Sequence, residues 1–217
     1  VYKRQSQTVD VNPLPVVSFS GLASDYCIDA TAATLTGSPA GGTFSGTGIS
    51  GNTFDPGAAT VGGPYSITYD YTDANGCANS TTQVTNVNPL PVVSFSGLNS
   101  AYCEDETSAT LTGNPAGGTF SGPGVSGNSF DPAAATPGGP YTITYDYTDA
   151  NGCANSASQN ATVNALPAPT ISGLASGYCV TTSAITMTGN PAGGTFSGTG
   201  VSGLSLIHIS EPTRHNA

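Results

Sequence analysis

A 76-residue period governs what this chain can fold into. Val11-Asn-Pro-Leu-Pro returns at Val87 and, as Val-Asn-Ala-Leu-Pro, at Val163. Cys27, Cys103 and Cys179 share the same step, as do Cys77 and Cys153. Residues 11–86 and 87–162 are identical at 59 of 76 positions, with no insertion or deletion. Near-identity at a fixed period means an array in which each unit is one small module. Residues 163–203 are the first half of a third, truncated unit. Residues 6–10 align with the tail of a preceding unit, Gln7 matching Gln83. Half a module exposes its core, so 163–217 is expected to fold poorly.

Within each unit one stretch has a clear period of its own. At 63–77 and again at 139–153 the chain reads Gly-Pro-Tyr-x-Ile-Thr-Tyr-Asp-Tyr-Thr-Asp-Ala-Asn-Gly-Cys. Tyr65, Ile67, Tyr69 and Tyr71 alternate with Ser66, Thr68, Asp70 and Thr72, the pattern of a half-buried strand. Asp73-Ala-Asn-Gly76 supplies tight-turn chemistry, and Cys77 opens the return strand. Further strands are predicted near 16–20, 32–37, 42–45, 52–55, 64–72 and 77–86. Val17, Phe19, Ala33, Leu35, Phe44, Phe54 and the Tyr65/Ile67/Tyr69/Tyr71 face make the expected core. The third unit keeps the pattern, with Ile171 for Phe19 and Ile185 and Met187 for Ala33 and Leu35. No helical periodicity is visible. The 29 Gly and 16 Pro fit short strands joined by tight turns. Six or seven such strands per unit argue for an antiparallel β-sandwich.

The two ends have a different character. Val1-Tyr2-Lys3-Arg4-Gln5 and Leu204-Ser-Leu-Ile-His208 can be encoded by opposite strands of one DNA element. They resemble translated transposase adapter from a sequencing library, continued in Ile209–Arg214. Residues 1–5 and 204–217 are therefore set aside. Lys3, Arg4, Arg214, His208 and His215 all lie there, so residues 6–203 contain no Lys, Arg or His and carry a net charge of −12.

A 76-residue unit is small for a self-sufficient core, so a covalent staple is expected. Each complete unit has two cysteines 50 residues apart. If Cys27 pairs with Cys77 and Cys103 with Cys153, each bridge contributes roughly 4 kcal/mol by loop closure. Cys179 is left unpaired by the truncation. Disulfides imply an oxidising, extracellular compartment; the alternative is buried free thiols in a cytosolic protein. The proline-rich Val-Asn-Pro-Leu-Pro junctions are short and stiff, which predicts a semi-rigid rod of adjacent repeats.

Pro-Ala-Gly-Gly-Thr-Phe-Ser-Gly (39–46, 115–122, 191–198), Phe-Asp-Pro (54–56, 130–132) and the Tyr-Asp-Tyr-Thr-Asp-Ala-Asn-Gly-Cys stretch together resemble known repeats. They are similar to the immunoglobulin-like or PKD-like repeats of very large secreted, adhesin-type surface proteins of gliding Bacteroidetes-type bacteria. The resemblance covers nearly all of 11–203. It implies an all-β fold of tandem Ig-like antiparallel β-sandwich repeats, at the cell surface or secreted and often adhesive. It carries over no catalytic residue, and the core Trp of antibody domains is absent.

The composition restricts the chemistry. Without Lys, Arg or His in 6–203 there is no Ser-His-Asp triad, no Lys base and no cationic oxyanion clamp. Glu104, Asp105 and Glu106 are adjacent carboxylates, but the matching residues of the first unit are Ile28, Asp29 and Ala30. No enzyme is expected. Phosphate neutralisation needs basic side chains, so nucleic acid is not an expected partner. Asp70, Asp73 and Asn75, with Asp146, Asp149 and Asn151, place oxygen ligands around a turn and are weak calcium candidates, calcium preferring six to eight oxygens. Asp29 and Asp105 mark the corresponding inter-repeat position. The tyrosines suit sugar stacking by type, but their spacing is that of a core. The sequons Asn79-Ser-Thr and Asn160-Ala-Thr carry no role in a bacterial protein. No apolar run is long enough to span a membrane. The expected function is a non-catalytic stalk or adhesion module spacing a distal binding domain from the cell. The alternative is a polysaccharide- or protein-binding accessory repeat of a secreted glycan-degrading enzyme.

Overall fold

The computed structural model describes residue 7 and residues 9–179, 181–203 and 205–206. In repeat 1 the strands are β1 (Ser18–Ser20), β2 (Asp25–Cys27), β3 (Ala33–Thr34), β4 (Thr36–Ser38), β5 (Thr43–Ser45), β6 (Ile49–Ser50) and β7 (Thr53–Phe54). A helical turn α1 (Pro56–Ala59) leads into the long strands β8 (Gly62–Thr72) and β9 (Ala78–Asn88). One sheet has the order β2-β9-β8-β5, a second β3-β7-β6, and β1 pairs with β4. The all-β sandwich expected from the sequence is the observed fold. Its pairings are antiparallel with one exception per repeat, because β2 runs parallel to β9 with Cys27 opposite Asn88. That strand and β6 are absent from the sequence expectation. Asp25-Tyr-Cys27 is too short to alternate, and only tertiary pairing defines it.

The β8–β9 hairpin supplies three of the seven buried apolar side chains of the first core, Ile67, Tyr69 and Val87. Ile67 and Tyr69 are buried from β8, and they meet Phe19, Leu35, Phe54, Ala59 and Val87. Val17, Tyr26, Phe44, Tyr65 and Tyr71 pack around them half-buried. Each fully buried large apolar side chain contributes about 1.5–3 kcal/mol. Val87 belongs to this first core, so the repeat extends into the Val-Asn pair that opens the next 76-residue unit. Leu35, between β3 and β4, is 1% exposed and lies where the chain passes from one sheet to another.

Tyr69 explains the Pro-Ala-Gly-Gly motif. Its hydroxyl donates to Pro39 O at 2.6 Å and accepts from Gly42 N at 2.8 Å. Its ring lies so close to Gly37 that a Cβ there would sit 2.0 Å from ring carbon Cζ. A tyrosine from the hairpin thus plugs a loop that only glycine can line. The turn α1 was not legible as a helix because four residues show no period. It forms from capping chemistry: Asp55 accepts from Gly57 N at 2.9 Å and proline opens the turn.

Repeat 2 reproduces this in β10 (Ser94–Ser96), β11 (Ala101–Cys103), β12 (Ala109–Thr110), β13 (Thr112–Asn114), β14 (Thr119–Ser121), β15 (Val125–Ser126), β16 (Ser129–Phe130), α2 (Pro132–Ala135), β17 (Gly138–Thr148) and β18 (Ala154–Asn164). The third repeat contributes β19 (Thr170–Ser172), β20 (Ile185–Thr186), β21 (Thr188–Asn190), β22 (Val201–Ser202) and β23 (Ser205–Leu206). No long hairpin follows among the described residues. Ile171 is accordingly 61% exposed where its counterparts Phe19 and Phe95 are 7% exposed. A cavity of about 440 Å³ lined by Ile171, Met187 and Phe196 lies beside Gly189, the counterpart of the glycine that Tyr69 covers. Residues 1–5 and most of 204–217, set aside as foreign, lie outside the described residues. Ser205–Leu206 pairs with β20 as Thr53–Phe54 pairs with β3.

Candidate functional site at the junction between repeats

In repeats 1 and 2 the hairpin turn is held by its own aspartate. Asp73 Oδ1 accepts from Asn75 N at 2.9 Å and from Cys77 N at 2.8 Å. Gly76 N donates to Asp73 O, and Asp73 N to Cys77 O, both at 3.0 Å. Asp149 repeats this wiring with Asn151 and Cys153, both at 2.9 Å. An aspartate that caps a turn in this way fixes the direction in which the turn cysteine leaves the backbone.

That direction is toward the preceding repeat. Cys153 is bonded to Cys27, with Cα atoms 5.5 Å apart across a sequence separation of 126. The expected Cys27–Cys77 and Cys103–Cys153 pairs do not form. Cys77, Cys103 and Cys179 are free thiols. The reason is the length of the hairpin. Cys27 lies opposite Asn88 at the far end of β9, while Cys77 precedes its first residue. Eleven residues of strand put these cysteines roughly 36 Å apart, whereas a disulfide needs Cα atoms within about 7 Å. Each repeat therefore carries its two cysteines at opposite ends. The bond joins the end of one repeat to the beginning of the next. A loop of this size contributes about 5 kcal/mol by the chain-entropy estimate.

The linker between the cysteines is also held. Asn155, on β18, donates through Nδ2 to Pro91 O at 2.9 Å, and Asn79 does the same to Pro15 O at 2.8 Å. Gln159 and Gln83 reach Phe95 O and Phe19 O, both at 2.7 Å. The proline-rich junction is thus strapped along the hairpin of the repeat that follows it. Burial records the same contact: Cys153 is fully buried, while Cys77 in the same turn is half-buried.

The remaining candidates lie on strand faces and in turns. Asp70 and Asp146 are exposed on the wet face of their strands, and Asn75 and Asn151 are exposed in the turns. Asp73 and Asp149 use their carboxylates on backbone N–H groups. Among the described residues no three His, Cys, Asp or Glu side chains come together. Asp29 and Asp105 are exposed beside the strand cysteines. In the acidic run, Glu106 Oε1 accepts from Cys103 N at 3.0 Å and so caps the turn after β11. The sequon residue Asn79 is engaged as a linker strap. No helix among the described residues is long and apolar enough to cross a membrane.

No protein-family model matches the chain, and no curated protein matches it. Among solved structures it is similar to one described as a Ca2+-stabilized adhesin that helps an Antarctic bacterium reach out and bind ice. The two are 14% identical with a TM-score of 0.40, the match covering 86% of this chain and 58% of that one.

Proposed function

We propose that these repeats form a non-catalytic stalk of a secreted or cell-surface bacterial adhesion protein, holding a distal binding domain away from the cell. The observation that carries this reading is the junction itself. A disulfide from Cys27 to Cys153 and a linker strapped by Asn155 fix one repeat to the next. A spacer needs such a fixed junction, whereas independently mobile binding modules do not. A net charge of −12 over residues 6–203, with no basic side chain among them, supports it further, since like charge discourages the array from folding back. The disulfide also suits an oxidising, extracellular location. The sequence resemblance to repeats of large secreted surface proteins points the same way.

Small-angle scattering of the oxidised chain tests the stalk. An elongated particle is expected, with a maximum dimension that grows by one repeat length for each repeat added. A particle with the radius of a single globule, about 17 Å for this length, would overturn the reading.

A further inference from the structure

Two of the three free cysteines, Cys103 and Cys77, are the repeat counterparts of the two bonded ones. Cys103 stands 76 residues after the bonded Cys27, and Cys77 stands 76 residues before the bonded Cys153. The local geometry follows the same step. Cys27 lies opposite Asn88, and Ile28 N donates to Asn88 O at 3.0 Å. Cys103 lies opposite Asn164, and Glu104 N donates to Asn164 O at 3.0 Å. On the other side, Asp73 holds Cys77 as Asp149 holds Cys153. Cys77 Sγ lies 4.0 Å from Asn12 O, and Asn12 is the counterpart of Asn88 one repeat earlier. Both cysteines retain exposure, Cys103 most of all, where Cys153 has none.

We propose that Cys103 is the acceptor for the turn cysteine of a following copy of this repeat, and Cys77 the acceptor for the strand cysteine of a preceding copy. An array of the repeat is then one covalent ladder in which each module is bonded to both neighbours and none is stapled internally. This rests on the array reading given above. The partner is a further copy of the same repeat in register, recognised by its capped turn and by the asparagine that faces the strand cysteine. The bond forms by thiol–disulfide exchange with a disulfide oxidant such as glutathione disulfide. One protein thiolate attacks the oxidant and releases one of its thiols. The second protein thiolate then attacks the mixed disulfide and releases the other. The two cysteine protons end on the two thiols of the reduced oxidant.

The test inserts one further copy of residues 87–162 between Thr162 and Val163 of the full chain and oxidises both proteins with glutathione disulfide. Alkylation and mass spectrometry count thiols, and digestion at aspartates maps the bonds. The parent is expected to hold one disulfide and three thiols. The extended chain should hold two disulfides and again three thiols, the new bond joining Cys103 to the turn cysteine of the inserted copy. Cys103→Ser in the extended chain should remove that bond alone. Five free thiols, or a bond closed within one repeat, would overturn the ladder. Cys153→Ser in the parent chain provides an independent check. It should leave four free thiols, and a Cys27–Cys77 bond there would also overturn the proposal. Shape is read separately. An elongated particle with five thiols sinks the ladder and leaves the stalk standing; a globular particle with two disulfides does the reverse.

Discussion

Near-identical repeats provide internal controls at single residues. Thr85 is fully buried on β9, and its hydroxyl has no hydrogen-bond partner. Its counterpart in repeat 2 is Ala161, buried in the equivalent core of that repeat with no side-chain polar atom. A buried unsatisfied hydroxyl costs about 1–3 kcal/mol. Thr85→Val keeps the β-branch and the volume while removing the hydroxyl. It is expected to stabilise repeat 1 by about 1 kcal/mol, seen as a higher denaturation midpoint with an unchanged denaturant slope. An unchanged or lower midpoint would mean that the hydroxyl is satisfied in solution.

Between elements, the decisive contact is the hairpin tyrosine against the glycine strand. Gly113, opposite Phe95 in the β10–β13 pair, faces the Tyr145 ring, where a Cβ would fall 2.0 Å from ring carbon Cζ. The ring cannot retreat without breaking its hydroxyl bonds to Pro115 O at 2.6 Å and Gly118 N at 2.8 Å. Gly113→Ala should therefore cost at least about 2 kcal/mol by overpacking, read as an early unfolding transition of repeat 2 in urea. The hairpin and its tyrosine core were legible in the sequence because alternation and Asn-Gly are local signals. Phe19, Leu35, Phe54, Ile67 and Tyr69 were all recognised from spacing alone and are buried. The parallel strand β2 was not legible, since three residues with one large apolar side chain carry no period. The cysteine pairing misled for a related reason. Fifty residues of sequence say nothing about distance, and the length of β9, set by pairing with β8, places Cys27 and Cys77 at opposite ends of a repeat. The role of Asp149 at the turn was visible as chemistry, but what it positions depends on the neighbouring repeat.

For the whole molecule, the staple decides how tension travels. A pull on the two ends of the oxidised chain passes through the Cys27–Cys153 bond and bypasses the 126-residue separation between those cysteines. Unfolding inside that loop adds no length between the handles. At about 3.6 Å per extended residue, the bypassed segment holds roughly 450 Å of hidden contour. Single-molecule stretching should therefore give a total extension longer by about that amount when reductant is present than when it is absent. Cys27→Ser should show the long extension under both conditions. Bonds within the repeats would hide about 180 Å each, about 360 Å for the pairs Cys27–Cys77 and Cys103–Cys153 together, because each loop spans 50 residues. Equal extension in oxidised and reduced chains would mean that the junction bears no load through sulfur. The stalk would then depend on the linker straps from Asn79 and Asn155 and on packing alone.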